Sequence, residues 1–278
     1  MKTVSVFDRG LMYGDGLFET VFIYKGVPVL FDKHIQRLLL SMKFFDIHCP
    51  LTTENWRKNA RNFLKKHKAD FGLLRIMATR GIDKERKMGL YTSYNPNIIL
   101  QYFPKKFINP LSRVMTLEVN KNWAPMPPPL PFHKLLNRLY AFHVKGLARK
   151  TSDEIAFVKN KRIVLEGSYS NIFIVKNKTL ITPPVNDGIL RGVTRDKIIS
   201  LAKQSSIPVK ETSIGLNDLS ICNGLGLSFS SGGLVPVANL VRGGKLLELK
   251  PHNIISLLQK KYWAWVERLY RDTKRQWT

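Results

Sequence analysis

The sequence predicts a two-lobed fold that mixes α+β and α/β character, with a small N-terminal lobe and a larger C-terminal one. Three observations carry this. The 278 residues are 44% hydrophobic, enough to bury a core but longer than the usual single-core domain. Strand-like and helix-like apolar periodicities interleave along the chain. Near the middle, Ala124-Pro125-Met126-Pro127-Pro128-Pro129-Leu130-Pro131 interrupts both, because proline fixes φ and lacks the amide donor. The expected boundaries are 1–121 for an α+β domain, 122–132 for a proline-rich linker and 133–278 for the larger domain.

In the first lobe, Val21-Phe22-Ile23-Tyr24 and Val27-Pro28-Val29-Leu30-Phe31 flank the turn pair Lys25-Gly26 and predict a hairpin. Ile35, Leu38, Leu39 and Met42 recur at helical spacing, as do Trp56, Ala60, Phe63 and Leu64, which predicts two amphipathic helices. Strand-like runs at 73–79, 98–103 and 114–119 follow. Beyond the linker the pattern predicts a helix over 134–149 and strands at 155–158, 163–165 and 172–175, the first two joined by a turn at Asn160-Lys161. A helix over 194–203, strands at 225–230 and 235–241, and a long helix after Pro251 complete the chain. Leu219 to Val241 is charge-free and long enough for a membrane span, but its Gly, Ser, Asn and Pro236 suit buried strands and loops, so no membrane partner is expected.

Composition narrows the function. Cys49 and Cys222 are the only cysteines, which argues against a disulfide-stapled secreted scaffold. The segment Met1 to Arg9 has too short an apolar run for a secretory signal, so a cytoplasmic location is expected. The net charge of +25 favours anionic partners of any kind. Its basic residues are scattered in small groups, such as Lys65, Lys66 and Lys68, or Arg149 and Lys150. This pattern predicts a solvated basic surface and no specific nucleic-acid partner. Lys260 to Arg275 places Tyr262, Trp263, Trp265 and Tyr270 among its cations; these aromatics predict a docked terminal helix in preference to an RNA-facing strip. The six histidines are far apart, without HExxH spacing, and no GxSxG occurs, so neither a metal hydrolase nor a serine hydrolase is expected.

Four segments carry chemistry. Gly188-Ile189-Leu190-Arg191-Gly192-Val193-Thr194-Arg195 leads into the apolar-periodic run Ile198, Ile199, Leu201, Ala202. Free amides at such a helix start attract anions, although an ordinary loop with Thr194 as N-cap reads equally from these residues. Arg37, early in a helix, is a candidate bidentate phosphate clamp or a solvent-facing arginine. Lys134 follows the linker, and a lysine disfavoured as a cation by burial or neighbouring charge becomes an amine nucleophile. Glu166 ends one apolar strand just before another, where a carboxylate seeks a cationic partner.

Taken together in chain order, these segments resemble the fold-type IV pyridoxal-phosphate enzymes: branched-chain aminotransferases, D-amino-acid aminotransferases and aminodeoxychorismate lyases. The resemblance runs from Asp8 to about Val237 and opens on Asp8-Arg9-Gly10-Leu11-Met12-Tyr13-Gly14-Asp15-Gly16-Leu17-Phe18-Glu19-Thr20 and His34-x-x-Arg37-Leu38. It implies pyridoxal 5′-phosphate as cofactor, bound covalently to Lys134 of Lys-x-x-Asn-Arg-Leu, with Glu166 facing the pyridine nitrogen and Leu190 packed on the ring. Arg37, Val193, Thr194 and Ser230 would hold the phosphate. It also implies a homodimer acting on a small amino substrate. Arg138 stands where aminotransferases of this family often carry a tyrosine. Thr79-Arg80-Gly81 is followed by Ile82-Asp83-Lys84-Glu85, without the Pro-Arg-x-His arrangement of D-amino-acid aminotransferases. The resemblance therefore points first to a lyase that makes 4-aminobenzoate for folate biosynthesis, then to an aminotransferase, and last to a non-enzymatic basic binding protein. Arg80, Arg86, Lys87 and Arg138 are the candidates for substrate carboxylates.

Overall fold

The computed structural model describes residues 3–86, 88–93 and 95–277. By backbone contacts the chain forms two units that do not follow chain order. The first comprises Met1–Phe107, His133–Arg138 and Arg268–Thr278, the second Ile108–Phe132 and Leu139–Glu267.

The first unit begins with a short helix α1 (Arg9–Tyr13), β1 (Gly16–Tyr24) and β2 (Val27–Pro28). The turn between the strands needs positive φ at both Lys25 and Gly26, and both adopt it. The expected second strand of this hairpin stops at Pro28, because Phe31 opens helix α2 (Phe31–Phe44). Phe31 lies one helical repeat before Ile35 and joins the buried stripe of Ile35, Leu38 and Met42. Helix α3 (Thr53–Lys66) starts at a capping box formed by Thr52 and Asn55. Strands β3 (Gly72–Thr79) and β4 (Asn97–Pro104) complete an antiparallel sheet in the order β2-β1-β3-β4. Leu17, Val21 and Ile23 of β1 and Leu74, Ile76 and Ala78 of β3 form one core with α2 and α3. Residues of opposite parity, including Phe18, Thr20 and Arg75, face the other side of the sheet.

In the second unit, β5 (Met115–Val119) is followed by α4 (Leu139–Leu147), β6 (Glu154–Lys159), β7 (Ile163–Gly167), β8 (Asn171–Lys176) and β9 (Thr179–Thr182). Then come α5 (Val193–Gln204), β10 (Val209–Glu211), β11 (Ile214–Gly215), α6 (Asp218–Ile221), β12 (Gly224–Phe229), β13 (Gly233–Arg242) and β14 (Lys245–Glu248). The last element, α7 (Asn253–Trp277), gives residues to both units. Along the sheet, β8-β12-β13-β5-β6-β7 are neighbours, and the pair Glu166–Asn171 joins β7 back to β8. The path thus closes on itself around a core that includes Leu117, Ile172, Leu227 and Val235.

Two differences from the expected elements have physical reasons. The helix expected over 134–149 starts only at Leu139. Leu135 bridges Leu17 of β1 instead, with Phe18 N–H donating to the Lys134 carbonyl and Leu136 N–H to the Gly16 carbonyl, each at 2.9 Å; this pairing overrides the local helical pattern. Thr194 does not cap α5, because Gly192 is the N-cap and no side chain caps it. The charge-free run 219–241 lies mostly in β12 and β13, and no helix among the described residues is long and apolar enough to cross a membrane. The terminal aromatics dock: Tyr262 and Trp263 are buried, Tyr270 meets Tyr24 edge-on and Trp277 meets Phe31.

Candidate active site

In the first unit, the extended segment beside β1 sets Lys134. Its half-buried side chain brings Nζ to 4.7 Å from the centroid of the Phe18 ring. Arg75, from the neighbouring strand, stacks its guanidinium over the same ring at 4.0 Å. No carboxylate among the described residues pairs with Arg75. Burial and the nearby Arg138 charge lower its affinity for its proton, yet it stays a cation. Lys134 and Arg75 therefore bring two cations to one aromatic ring, and Arg138 lies close enough to Arg75 to act on its charge.

Glu19, adjacent to Phe18, points to the opposite face of β1, where α2 supplies its partners. Arg37 grips it through two bonds of 2.7 Å, Nε to Oε1 and Nη2 to Oε2, and His34 Nδ1 lies 2.7 Å from Oε2. Burial alone would raise the Glu19 pKa; the charges of Arg37 and His34 and the bonds to both outweigh it and bring it down to about 2. Burial lowers the pKa of His34, and the cations of Arg37 and Lys134 add to this against the pull of Glu19. His34 presents Nδ1–H to the carboxylate, and Glu19 fixes the plane of the Arg37 guanidinium.

This arrangement has a pH consequence. The folded-state pKa of Glu19 lies below its unfolded value of about 4.3, so its stabilisation is present above that pH and is lost as pH falls towards 2. Urea unfolding between about pH 5 and pH 2 should show a shallower loss of stability for Glu19→Gln than for the wild type.

In the second unit, Glu166, the next-to-last residue of β7, is half-buried and its carboxylate accepts from Leu190 N–H at 3.1 Å and from Asn171 Nδ2 at 3.1 Å. Asn171 Nδ2 also donates to the Leu190 carbonyl at 3.0 Å, which ties the loop before α5 to the closing strand pair. A Cβ on Gly192 would run into Asn171 Oδ1, so the backbone here approaches too closely for any side chain. Val193 and Thr194 follow in the first turn of α5 and are buried; their amides belong to the helix start, whose donors lack intrahelical acceptors. Ser228 sits opposite Asn171 in the β12–β8 ladder, so both side chains share a face, and its buried Oγ has no hydrogen-bond partner. Ser230 lies half-buried in the turn after β12.

The remaining candidates are placed differently. Arg80 is buried, with Nε on Asp15 at 2.8 Å and its other nitrogens on the carbonyls of Phe45 and Tyr91. Arg9 bonds the same Asp15 and also Asp83, so Arg80 belongs to an internal ion network and not to an open anion site. Arg86 is exposed with φ of 55°, while Lys87 lies outside the described residues. The sequence reading missed Glu19, Arg75, Asn171 and the buried Glu154; a charged residue inside the apolar strand Leu17 to Ile23 was the available signal for Glu19.

Comparison with known proteins matches this frame. A protein of Methanocaldococcus jannaschii with a provisional branched-chain-amino-acid aminotransferase name is 33% identical over 279 residues, covering 99% of this chain and 92% of the relative. A D-alanine aminotransferase of Listeria monocytogenes is 29% identical, covering 86% and 82%. Among solved structures, the 4-amino-4-deoxychorismate lyase of Pseudomonas aeruginosa is 25% identical at a TM-score of 0.82, covering 94% of each chain. The branched-chain aminotransferase of Thermoproteus uzoniensis is 25% identical at the same TM-score, covering 94% of this chain and 88% of that one. The class IV aminotransferase family matches residues 16–240, and the chain belongs to this family of pyridoxal-phosphate-dependent enzymes.

Proposed function

We propose that this enzyme is a 4-amino-4-deoxychorismate lyase, which releases pyruvate and 4-aminobenzoate from its substrate. The observation that carries the reading is the cationic group around Phe18: Arg75 lacks a carboxylate partner among the described residues and lies near Arg138 and Lys134, which suits an amino substrate bearing two carboxylates. Arg138, in the position often taken by tyrosine in the family's aminotransferases, inclines the choice towards the lyase.

The residues fit pyridoxal phosphate. The uncapped start of α5 and the unpartnered Ser228 Oγ together suit a phosphate close to backbone. Val193 and Thr194 would hold the phosphate from that helix start, with Arg37 as its cation and Ser230 as a further donor. Leu190 would pack on the ring, and Glu166 would keep the ring nitrogen protonated. The bound cofactor withdraws electrons from a substrate amine and so acidifies the adjacent C–H. Lys134 Nζ would hold the cofactor, and the same amine would serve as the base that takes the proton from the amine-bearing carbon. Arg75 and Arg138 would orient the carboxylates.

Substituting Gly192→Ala should push Asn171 from its bonds to Glu166 and Leu190. Equilibrium dialysis of pyridoxal phosphate should then show affinity reduced about tenfold, the scale of disturbing an outer-shell orienting partner.

The deciding experiment for the activity supplies 4-amino-4-deoxychorismate, branched-chain amino acids and D-alanine, the last two with 2-oxoglutarate, and measures pyruvate, 4-aminobenzoate and amino transfer. Stoichiometric pyruvate and 4-aminobenzoate support the lyase. Amino transfer without either product overturns it in favour of an aminotransferase, a second reading that the 33% identity to the Methanocaldococcus protein favours. We also propose a homodimer. Val6, Phe7, Leu11 and Ile82 are exposed apolar residues near the Asp8–Ile82 bridge. Light scattering in added salt, which suppresses adsorption of the basic surface, should give twice the 31.9 kDa chain mass. A monomeric mass with full activity refutes it.

A further inference from the structure

Glu154, the first residue of β6, is fully buried, yet none of the five contacts to its carboxylate comes from a cation. Oε1 accepts from Ile155 N–H at 2.9 Å, Ser168 N–H at 3.0 Å and Ser168 Oγ–H at 2.6 Å; Oε2 accepts from Tyr169 N–H at 3.2 Å and Ser170 Oγ–H at 2.7 Å. Four of these donors belong to the three residues that turn the chain from β7 into β8. The remaining contact is the amide next to Glu154 itself.

A carboxylate with this set of donors is a template around which backbone is shaped. Burial raises the Glu154 pKa, and the bonds from Ser168 and Ser170 oppose that rise. Gly167 shows how tightly the turn is drawn, since a Cβ there would lie 2.6 Å from Glu154 Oε2 and would also strike Ser170 Oγ. The two residues that flank this turn and pair across it are Glu166 and Asn171, and they in turn hold Leu190.

We propose that Glu154 is a positioning residue for the cofactor site: it fixes the 167–170 turn and thereby the direction of the Glu166 carboxylate and the Asn171 amide. This rests on the reading of Glu166 as the partner of the pyridine nitrogen. The Glu154 carboxylate is taken up by these five donors, so its proposed role is to position and not to react. In Glu154→Gln the carboxamide NH2 would face N–H and O–H donors, so one side of the turn would be repelled from its anchor.

The test titrates the absorbance of bound pyridoxal phosphate against pH and measures its dissociation constant in the wild type, Glu166→Gln, Glu154→Gln and Ser170→Ala. Circular dichroism and thermal unfolding run alongside. Glu166→Gln sets the reference shift. Glu154→Gln is expected to move the titration midpoint in the same direction and to weaken cofactor binding about tenfold, the usual scale for an outer-shell orienting partner. Ser170→Ala, which removes a single donor, is expected to show a smaller shift in the same direction, and it carries the test if Glu154→Gln does not fold. The inference is overturned if folded Glu154→Gln or Ser170→Ala titrates and binds like the wild type while Glu166→Gln does not. If Glu166→Gln itself leaves both readouts unchanged, the assignment of Glu166 fails first and the role of Glu154 falls with it.

Discussion

Lys134→Ala is expected to abolish turnover, lowering kcat by about 10⁴-fold or more, because in the proposed mechanism this one side chain would supply both a nucleophilic amine and a proton-transfer base. Alanine has neither group, and among the described residues no other lysine stands over the Phe18 ring. Borohydride reduction of the cofactor-loaded wild type, followed by peptide mapping, should mark Lys134 alone. The alanine variant should take no covalent label and should keep its fold, since the backbone bonds of residue 134 to β1 do not involve the side chain. A label on another lysine, or near-normal turnover in Lys134→Ala, refutes the assignment.

Glu166→Gln is expected to retain cofactor binding but to slow turnover by about 10²- to 10³-fold, the scale of losing one aligned electrostatic partner of the reacting charge. The amide preserves the volume and can still accept from Leu190 N–H, so the loop before α5 stays in place. What it loses is the negative charge that favours a protonated ring nitrogen. Stopped-flow kinetics should locate the loss in the proton-transfer step, with little change in substrate affinity. Equal kcat in the two proteins would remove Glu166 from this role.

The parts of the fold that sequence made legible are those held by local rules. The Lys25-Gly26 turn needed only two residues able to take positive φ, and the stripes on α2 and α3 needed only their 3.6-residue period. Helix formation at 134–138 was misread because a partner over a hundred residues away, β1, captures that backbone. Lys134 and Glu166 stand in motifs, so their proposed roles could be stated from sequence. Those of Glu19, Arg75 and Glu154 could not, since each residue stands within a strand and gains meaning only when register places it against Arg37, Phe18 or the Ser168–Ser170 turn. Arg80 shows the reverse error: an arginine next to glycine in a loop reads as an anion site until Asp15 is found beside it.

The composition of the first unit bears on how the chain emerges from the ribosome. Residues 1–107 alone do not complete it, since the strand-like piece around Lys134 and the last turns of α7 belong to the same unit. While the N-terminal hundred residues are being synthesised, the edge of β1 that Lys134 and Leu136 will occupy is still unpaired, and Tyr24 and Phe31 wait for Tyr270 and Trp277. A nascent chain stalled after residue 107 would therefore expose an open strand edge and aromatic surface to other chains. The amine of Lys134 gains its setting beside Phe18 only once residue 134 has emerged, and the aromatic partners Tyr270 and Trp277 reach the same unit later still.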